Sequence, residues 1–353
     1  MRTARFRVRA WCSLLVAVIA VSACTADRST PSKTPDGPDW LSAKTTLDRT
    51  DIIMERVTYR SGGFTIFGQV CRPAGVGPHP VLIFNHGGFG GLPDWEDPNG
   101  FCAQAAKGGW ALGESSYRGE DGSGGDVEAC LGEVDDSLAM LDVMRTQPYA
   151  DPDRIAMMGV SHGGCVTSKA VERGADVDVA VDIAGPAQWG PLITAVDRAA
   201  KAPSTDPALR PTYLTLVDRV TKAVGGTPDQ YPERYAERSP DPEKIARWDK
   251  PFLIMHGGAD TIVPVQQSCA LASKTGDFRA HRFDTNGGVV PQAPPGCGKK
   301  LTWDDSSGSP EVDFDEDRYL LVYDQVDHFL VDNNGLTRML KDLFRFLEAK
   351  LPR

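Results

Sequence analysis

The sequence predicts an α/β fold in which helices flank a mostly parallel central sheet. Two observations support this prediction. Apolar runs such as 80–85 and 155–159 lack polar alternation, which is typical of strands covered by helices on both faces. Helical segments at about 100–109, 130–146 and 162–173 lie between the strand-like runs. Strands that alternate with helices along a chain form a parallel or mostly parallel sheet.

Other elements extend this core in both directions. A hairpin is predicted from strands at about 53–60 and 64–71. Three further strands are predicted at about 177–183, 251–256 and 318–323, and an amphipathic terminal helix at about 335–350.

Two insertions interrupt the globular domain, which we place at residues 49–353. The segment 186–250 is too long for a simple crossover and contains helix-like pieces near 190–201 and 209–223, so we expect a small helical cap there. A second insertion at about 285–315 has several prolines and a Gly-rich turn signal, which indicates a loop.

The amino terminus has the composition of a bacterial export signal. Four arginines precede an apolar run that ends at Ala23 and is too short to span a bilayer as a permanent helix. Residues 21–24, Val-Ser-Ala-Cys, resemble a lipoprotein signal. This resemblance implies cleavage of the signal peptide 1–23, acylation of Cys24 and anchoring of the exported protein at the bacterial cell-membrane surface. An ordinary cleavage site is the alternative, and residues 24–48 predict a flexible tether.

The charge of the chain argues against one class of partner. The formal net charge is −10, and cleavage before Cys24 removes four arginines and no acids, which leaves −14. A protein that binds a phosphate backbone needs a basic stripe, and the sequence has none. We therefore expect no nucleic-acid partner.

Six cysteines follow Cys24, an even number that favours disulfides in an exported protein. We expect the pairs Cys102–Cys130 and Cys269–Cys297, and we interpret Cys165 as a small buried apolar residue. A zinc site does not fit the spacing, because the sequence has no Cys-x-x-Cys and no compact Cys/His cluster.

A candidate nucleophile stands in the segment Gly159-Val160-Ser161-His162-Gly163. This Gly-x-Ser-x-Gly pattern follows a predicted buried strand and precedes a predicted helix, which is the context of a serine exposed on a sharp turn. A serine hydroxyl attacks only if a base takes its proton, a third group orients that base, and donors receive the oxyanion. The sequence offers candidates for each part.

Asp260 and His328 are the predicted acid and base. Asp260 follows the strand-like run 251–256, at the strand end where open α/β sheets place their sites. Asp182, in the strand before the predicted cap, is the alternative candidate for this acid. His328 precedes the terminal helix and completes the order Ser, Asp, His that this arrangement uses. The other histidines adjoin turns or strand starts or, like His281, lie inside a strand.

The predicted oxyanion donors are backbone N–H groups. One is that of His162, the residue after the nucleophile, and the other comes from the loop after the strand 80–85. Gly88 is the candidate in that loop, with Gly87 and Phe89 as alternatives.

These motifs together resemble the catalytic domain of the prolyl oligopeptidase family of serine peptidases, which has the α/β-hydrolase fold. The resemblance covers most of residues 50–353 and is carried by His86-Gly87-Gly88, Tyr117-Arg118-Gly119, Gly159 to Gly164, His256 to Asp260, and His328. Dienelactone hydrolases and acetyl xylan esterases are similar in outline, and the Tyr-Arg-Gly segment favours the peptidases. The resemblance also implies that the Tyr117 hydroxyl is an oxyanion donor, with a core tyrosine as the alternative.

The predicted reaction is hydrolysis of a small-molecule ester or a short peptide by Ser161, His328 and Asp260, with no metal or organic cofactor. Peptidases of this family usually carry a β-propeller, for which this sequence has no room, so a carboxylesterase or acetylesterase is an alternative to a peptidase. A third hypothesis is a non-catalytic surface lipoprotein that binds through a hydrolase scaffold. The complete Ser, Asp and His set argues against it.

Overall fold

A computed structural model describes residues 40–351 apart from 285, 299, 305–310 and 331–332. The predicted signal peptide 1–23 and Cys24 lie outside the described residues. The strands described are β1 (Trp40–Asp48), β2 (Ile52–Ser61), β3 (Phe64–Pro73), β4 (His79–Asn85), β5 (Ala111–Ser115), β6 (Ala150–Val160), β7 (Val179–Ile183), β8 (Phe252–Gly257), β9 (Arg279–Phe283), β10 (Thr302–Trp303) and β11 (Arg318–Tyr323). The helices described are α1 (Phe101–Lys107), α2 (Gly132–Arg145), α3 (His162–Glu172), α4 (Trp189–Lys201), α5 (Arg210–Val224), α6 (Pro232–Arg238), α7 (Pro242–Ile245), α8 (Gln266–Thr275) and α9 (Asn333–Lys350).

All of the strands described belong to one sheet, in the order β1-β2-β3-β5-β4-β6-β7-β8-β11-β9-β10. The pairings among β1, β2, β3 and β5 are antiparallel, and every pairing from β5 to β10 is parallel. The predicted mostly parallel sheet is therefore confirmed. Parallel strands bring their carboxyl ends to one edge, where β4, β6, β8 and β11 all end beside the loops that carry the candidate site.

Strand β4 shows why the central strands lack polar alternation. Val81 and Ile83 pack into an apolar cluster with helices α2 and α3, whereas Leu82 and Phe84 pack into a second cluster with α1 and α9. Successive side chains of a strand point to opposite faces, so a strand with helices on both faces needs apolar residues at every position.

The two predicted insertions contain regular structure. Helices α4, α5, α6 and α7 lie within 186–250, and the short strand β10 lies within 285–315. Residues 40–48 form β1 and pair with β2, whereas the sequence predicts a flexible tether there. An edge strand held by main-chain hydrogen bonds needs no apolar pattern, which is why the sequence gives no sign of it. No helix within the described ranges is both long and apolar enough to cross a membrane.

Three disulfides join parts of the described chain that are distant in sequence. They are Cys71–Cys102, Cys130–Cys165 and Cys269–Cys297. The predicted Cys269–Cys297 pair is confirmed, and the predicted Cys102–Cys130 pair is wrong. Cys102 lies on α1, which packs against β3, and there it bonds to Cys71. Cys165, interpreted as an unbonded apolar residue, is buried but joins α3 to the loop before α2.

Candidate active site

Ser161 stands on a tight turn between β6 and α3. Its φ of +57° lies in the left-handed region that side-chain-bearing residues rarely adopt, and its N–H donates to the Ile183 carbonyl at 2.8 Å. The flanking glycines are required by close contacts. A Cβ on Gly163 would lie 1.9 Å from the Asn85 carbonyl oxygen, and a Cβ on Gly159 would lie 2.1 Å from the Gly163 carbonyl oxygen. The turn therefore needs glycine at both positions of the Gly-x-Ser-x-Gly pattern.

His328 lies in the loop between β11 and α9 and reaches Ser161. Its Nε2 is 3.0 Å from the Ser161 Oγ, and its Nδ1 is 2.6 Å from the Asp260 Oδ2. Because a carboxylate accepts and does not donate, Nδ1 carries the proton and Nε2 is left to accept one from the serine hydroxyl. The structure thus brings Ser161, His328 and Asp260 into one hydrogen-bonded row.

The Asp260 carboxylate is fixed at both oxygens. Its Oδ1 accepts from the backbone N–H groups of Ile262 and Val263 at 2.9 and 2.8 Å, and its Oδ2 faces His328 and, at 3.4 Å, His256 Nε2. Burial acts to raise the pKa of Asp260, but the electrostatic attraction of His328 and the hydrogen bonds from His256 and His328 outweigh it and lower that pKa. Asp260 is therefore an ionised carboxylate at neutral pH.

Asp182, the substitute for the acid, has a different role in this structure. Its Oδ2 accepts from the Ser168 hydroxyl, and its Oδ1 accepts from the Gly185 N–H at 2.8 Å. These bonds hold the turn that follows β7 against α3. His281, inside β9 as predicted, pairs with Asp304 at 3.0 Å.

The predicted oxyanion donors come from the start of α3, from the loop after β4 and from the segment after β5. His162 is the first residue of α3, so its N–H stands at a helix amino terminus. Gly88 has a φ of +78° and follows Gly87, whose Cβ, if present, would lie 3.1 Å from the Ser161 Cβ. The Tyr117 hydroxyl contacts the His86 carbonyl at 3.5 Å, which gives it a partner within the same loop. The donor roles of His162, Gly88 and Tyr117 stay predictions.

The His162 side chain lies in an aromatic surround next to the nucleophile. Its ring centroid is 4.5 Å from that of Phe89, 5.7 Å from that of Tyr117 and 6.3 Å from that of Trp189. Burial lowers the pKa of His162 to about 3, so the ring is neutral at physiological pH. Trp189, the first residue of α4, donates from its Nε1 to the Cys165 sulfur at 3.2 Å.

The structure also reveals two acidic residues that sequence reasoning missed. Glu120 and Asp121 follow the Tyr-Arg-Gly segment and accept hydrogen bonds from the loop that carries Gly88. Their position after that segment is the only signal in the sequence. Among the described residues, no group of three or more His, Cys, Asp or Glu is arranged to hold a metal ion.

A mostly parallel sheet with helices on both faces, and a serine on a strand–turn–helix elbow at its carboxyl edge, define the class of α/β-hydrolase folds, to which this protein belongs. Residues 70–275, more than half of the chain, match the family model described as BD-FAE. The chain therefore belongs to this family.

Known proteins similar to this chain include peptidases and esterases. "Uncharacterized peptidase YtmA" of Bacillus subtilis is 25% identical over 219 residues, which cover 62% of this chain and 77% of that protein. An acylaminoacyl peptidase from Pyrococcus horikoshii superposes with a TM-score of 0.58 at 19% identity, over 85% of this chain. This chain covers 42% of the length of that peptidase, less than half. Acetyl xylan esterase 1 from Thermoanaerobacterium sp. JW/SL YS485 superposes with a TM-score of 0.55 at 15% identity, over 89% of this chain and 88% of the esterase.

Proposed function

We propose that this protein hydrolyses a small ester or a short peptide through a Ser161–His328–Asp260 triad and an acyl-enzyme. The observation that carries this proposal is the hydrogen-bonded row, with 3.0 Å between the Ser161 Oγ and His328 Nε2 and 2.6 Å between His328 Nδ1 and the Asp260 Oδ2. These distances are within the reach that proton transfer from a nucleophile to its base requires.

The reaction follows from the protonation states of the row. His328 Nε2 takes the hydroxyl proton while the Ser161 Oγ bonds to the substrate carbonyl carbon, and the carbonyl electron pair moves onto its oxygen. His328 then protonates the leaving alcohol or amine as its bond to the carbonyl carbon breaks. Water attacks the acyl-enzyme by the same steps and releases Ser161. Asp260 stabilises the positive charge that His328 carries between the transfers.

Backbone N–H groups stabilise the oxyanion in this proposal. The His162 N–H lies at the start of α3, where the helix dipole adds a partial positive charge. Gly88, in the loop packed against Ser161, supplies the second donor. Donors of this kind lower the barrier because they face the oxygen that gains charge in the transition state.

A prolyl oligopeptidase-like peptidase is the first candidate for the finer activity. The similarity to a Bacillus subtilis peptidase over 77% of its length supports it. A carboxylesterase or acetylesterase is the second candidate, because this chain and the acetyl xylan esterase match over 89% and 88% of their lengths, whereas it covers 42% of the acylaminoacyl peptidase.

A fluorophosphonate probe tests the nucleophile. We expect labelling of the wild type and none of Ser161→Ala, whereas properly folded wild type that does not label would favour the non-catalytic scaffold. Loss of Ser161 should reduce turnover by about 10⁶-fold if the triad acts as a unit. A parallel panel of prolyl and other aminoacyl amides, short and long acyl esters, and acetylated sugars then separates a peptidase from an esterase. Amide cleavage by the wild type but not by Ser161→Ala would identify the peptidase.

We also propose that the protein is exported and held at the bacterial cell-membrane surface by acylation of Cys24. The support is the Val-Ser-Ala-Cys sequence after an apolar run with arginines before it. Cys24→Ala should move the protein from the membrane fraction to the medium. Cys12→Ala, a change of the same kind inside the signal, is the control and should leave the protein with the membrane. Continued membrane fractionation of Cys24→Ala would contradict the anchor.

A further inference from the structure

The loop at residues 86–92 passes directly over the proposed nucleophile. A Cβ on Gly87 would lie 3.1 Å from the Ser161 Cβ and 2.9 Å from the Val160 carbonyl oxygen. Two residues further on, the Phe89 ring centroid lies 4.5 Å from that of His162. The position of this loop therefore decides where the N–H groups of its residues stand relative to the oxygen of a bound substrate.

Two adjacent acidic side chains hold the far end of this loop, and we refer to Glu120 and Asp121 as the acidic clamp. The Glu120 Oε2 accepts from the Gly91 N–H at 2.9 Å. The Asp121 Oδ2 accepts from the Leu92 N–H and from Trp95 Nε1, both at 2.8 Å. A Cβ on Gly91 would lie 2.1 Å from the Asp121 Oδ2, so the clamp and the loop approach as closely as glycine allows.

The clamp is itself fixed to the body of the domain. Arg118, two residues before Glu120, donates from Nε and from its backbone N–H to the Asp136 Oδ2 at 3.0 and 2.8 Å. A further nitrogen of its guanidinium donates to the Asp136 Oδ1 at 2.9 Å. Asp136 is fully buried on α2, which packs against β5 and β6. A bidentate arginine–carboxylate pair of this kind has a defined geometry, so the turn that carries the clamp has a rigid base.

We infer that Glu120 and Asp121 are positioning residues for the oxyanion donor of the 86–92 loop, an inference that rests on the proposed serine mechanism. Their hydrogen bonds to Gly91 and Leu92 set the height of Gly88 above Ser161. When the Ser161 Oγ bonds to the carbonyl carbon and the electron pair moves to oxygen, the donor is already in place. Preorganised donors are effective because no reorganisation is needed during the reaction.

The surroundings of Glu120 fit this role. Its side chain is 6% exposed, and its Oε2 lies 3.9 Å from His86 Nε2, at the start of the same loop. Burial raises the pKa of Glu120 to about 8, so at neutral pH the group is largely an uncharged acid that accepts the Gly91 N–H. A neutral acceptor holds the loop without placing a full negative charge beside the oxyanion.

The experiment compares Glu120→Ala, Glu120→Gln and Asp121→Ala with the wild type. Turnover of a nitrophenyl ester is measured per active site, and the sites are counted by complete fluorophosphonate labelling. Affinity for a trifluoromethyl ketone, which Ser161 converts to an oxyanion adduct, is measured in parallel. Asp126→Ala is the matched control, since Asp126 is an exposed acid near the same turn whose side chain makes no hydrogen bond or ion pair with the described residues.

We expect Glu120→Ala and Asp121→Ala to lower kcat by about tenfold to hundredfold, somewhat less than the removal of an oxyanion donor, with KM changed by less than about threefold. Affinity for the trifluoromethyl ketone should fall by the same factor as kcat/KM. Glu120→Gln retains an acceptor for Gly91 and should recover most of kcat, and Asp126→Ala should match the wild type. A purely structural role would reduce the number of labelled sites and leave kcat per site unchanged.

Two results would overturn the inference. One is a kcat per labelled site within about twofold of the wild type in both alanine variants, and the other is a loss in Glu120→Gln as large as that in Glu120→Ala. If Glu120→Ala does not fold, the exposed Asp121 still decides the question through Asp121→Ala. Failure of the proposed function is recognised separately, because the wild type would then show no turnover that depends on Ser161.

Discussion

Asp260→Asn tests the proposed triad with a change of one atom. The carboxylate oxygens of Asp260 have unequal partners: Oδ1 accepts from two backbone N–H groups, those of Ile262 and Val263, whereas Oδ2 accepts from His328. An asparagine that keeps its oxygen on the two N–H donors must turn its NH₂ group toward His328. The imidazole then has to accept at Nδ1 and carries its proton on Nε2, where it cannot take the proton of Ser161.

The expected loss is that of a base in the wrong tautomer. We predict a fall in kcat of about 10⁴-fold, equal to about 5 kcal/mol of transition-state stabilisation. The free energy of unfolding should change much less. The asparagine oxygen still accepts from the two backbone N–H groups, and only the opposite orientation, with NH₂ facing those groups, would leave buried donors without acceptors.

The assay is turnover of a nitrophenyl ester by protein that circular dichroism and thermal unfolding show to be folded. Asp182→Asn is the matched control: it makes the same change in the other candidate acid, whose carboxylate bonds Ser168 and Gly185. We expect Asp182→Asn to keep activity within about tenfold of the wild type. An Asp260→Asn variant that keeps more than about a tenth of wild-type kcat would refute the assignment, and a larger loss in Asp182→Asn would transfer the acid role to Asp182.

Three further outcomes follow from the structure. Replacing Cys130 and Cys165 by serine should lower the free energy of unfolding by about 4 kcal/mol, since that disulfide closes a sequence separation of 35 residues. Burial lowers the pKa of His86 to about 4 and that of His162 to about 3, so both stay neutral in the native state. As pH falls from about 6.5 to 4 the unfolded chain takes up these protons first, and native stability should fall by about 1.4 kcal/mol per pH unit for each histidine. Gly87→Ala should lower kcat by about tenfold or more with little change in Tm, because its Cβ would displace the loop above the nucleophile.

Each of these outcomes has its own control. Urea unfolding measures how much the disulfide contributes to the free energy of unfolding, and a midpoint unchanged from the wild type would contradict the predicted loss. For the histidines, the free energy of unfolding is measured at several pH values. His162→Phe should reduce its dependence on pH by the contribution of about one proton, and an unchanged dependence would show that His162 does not stay neutral. For Gly87→Ala, Gly75→Ala is the control because a Cβ on Gly75 meets nothing within 4 Å.

Much of the candidate site could be predicted because its parts are local. An apolar run, a Gly-x-Ser-x-Gly turn and a following helix predict Ser161, and all three depend on residues next to one another in the chain. Asp260 and His328 each follow a strand, and parallel strands bring such positions to the same edge of a sheet. The sequence predicts Asp260 as the acid and keeps Asp182 as the alternative, since both stand near the ends of neighbouring strands. In the structure Asp260 bonds to His328, whereas Asp182 bonds to Ser168 and Gly185.

The sequence by itself determined the α/β architecture, the two longer helices of the 186–250 insertion, and the strand–turn–helix that carries Ser161, because these depend on apolar periodicity and on short-range backbone geometry. Only the tertiary structure decided that Cys102 bonds to Cys71, that residues 40–48 add a strand, and that Glu120 and Asp121 hold the loop above Ser161. Such contacts join positions far apart in sequence, and their partners are set by how helices and loops pack. A pattern read along the chain holds no record of that packing.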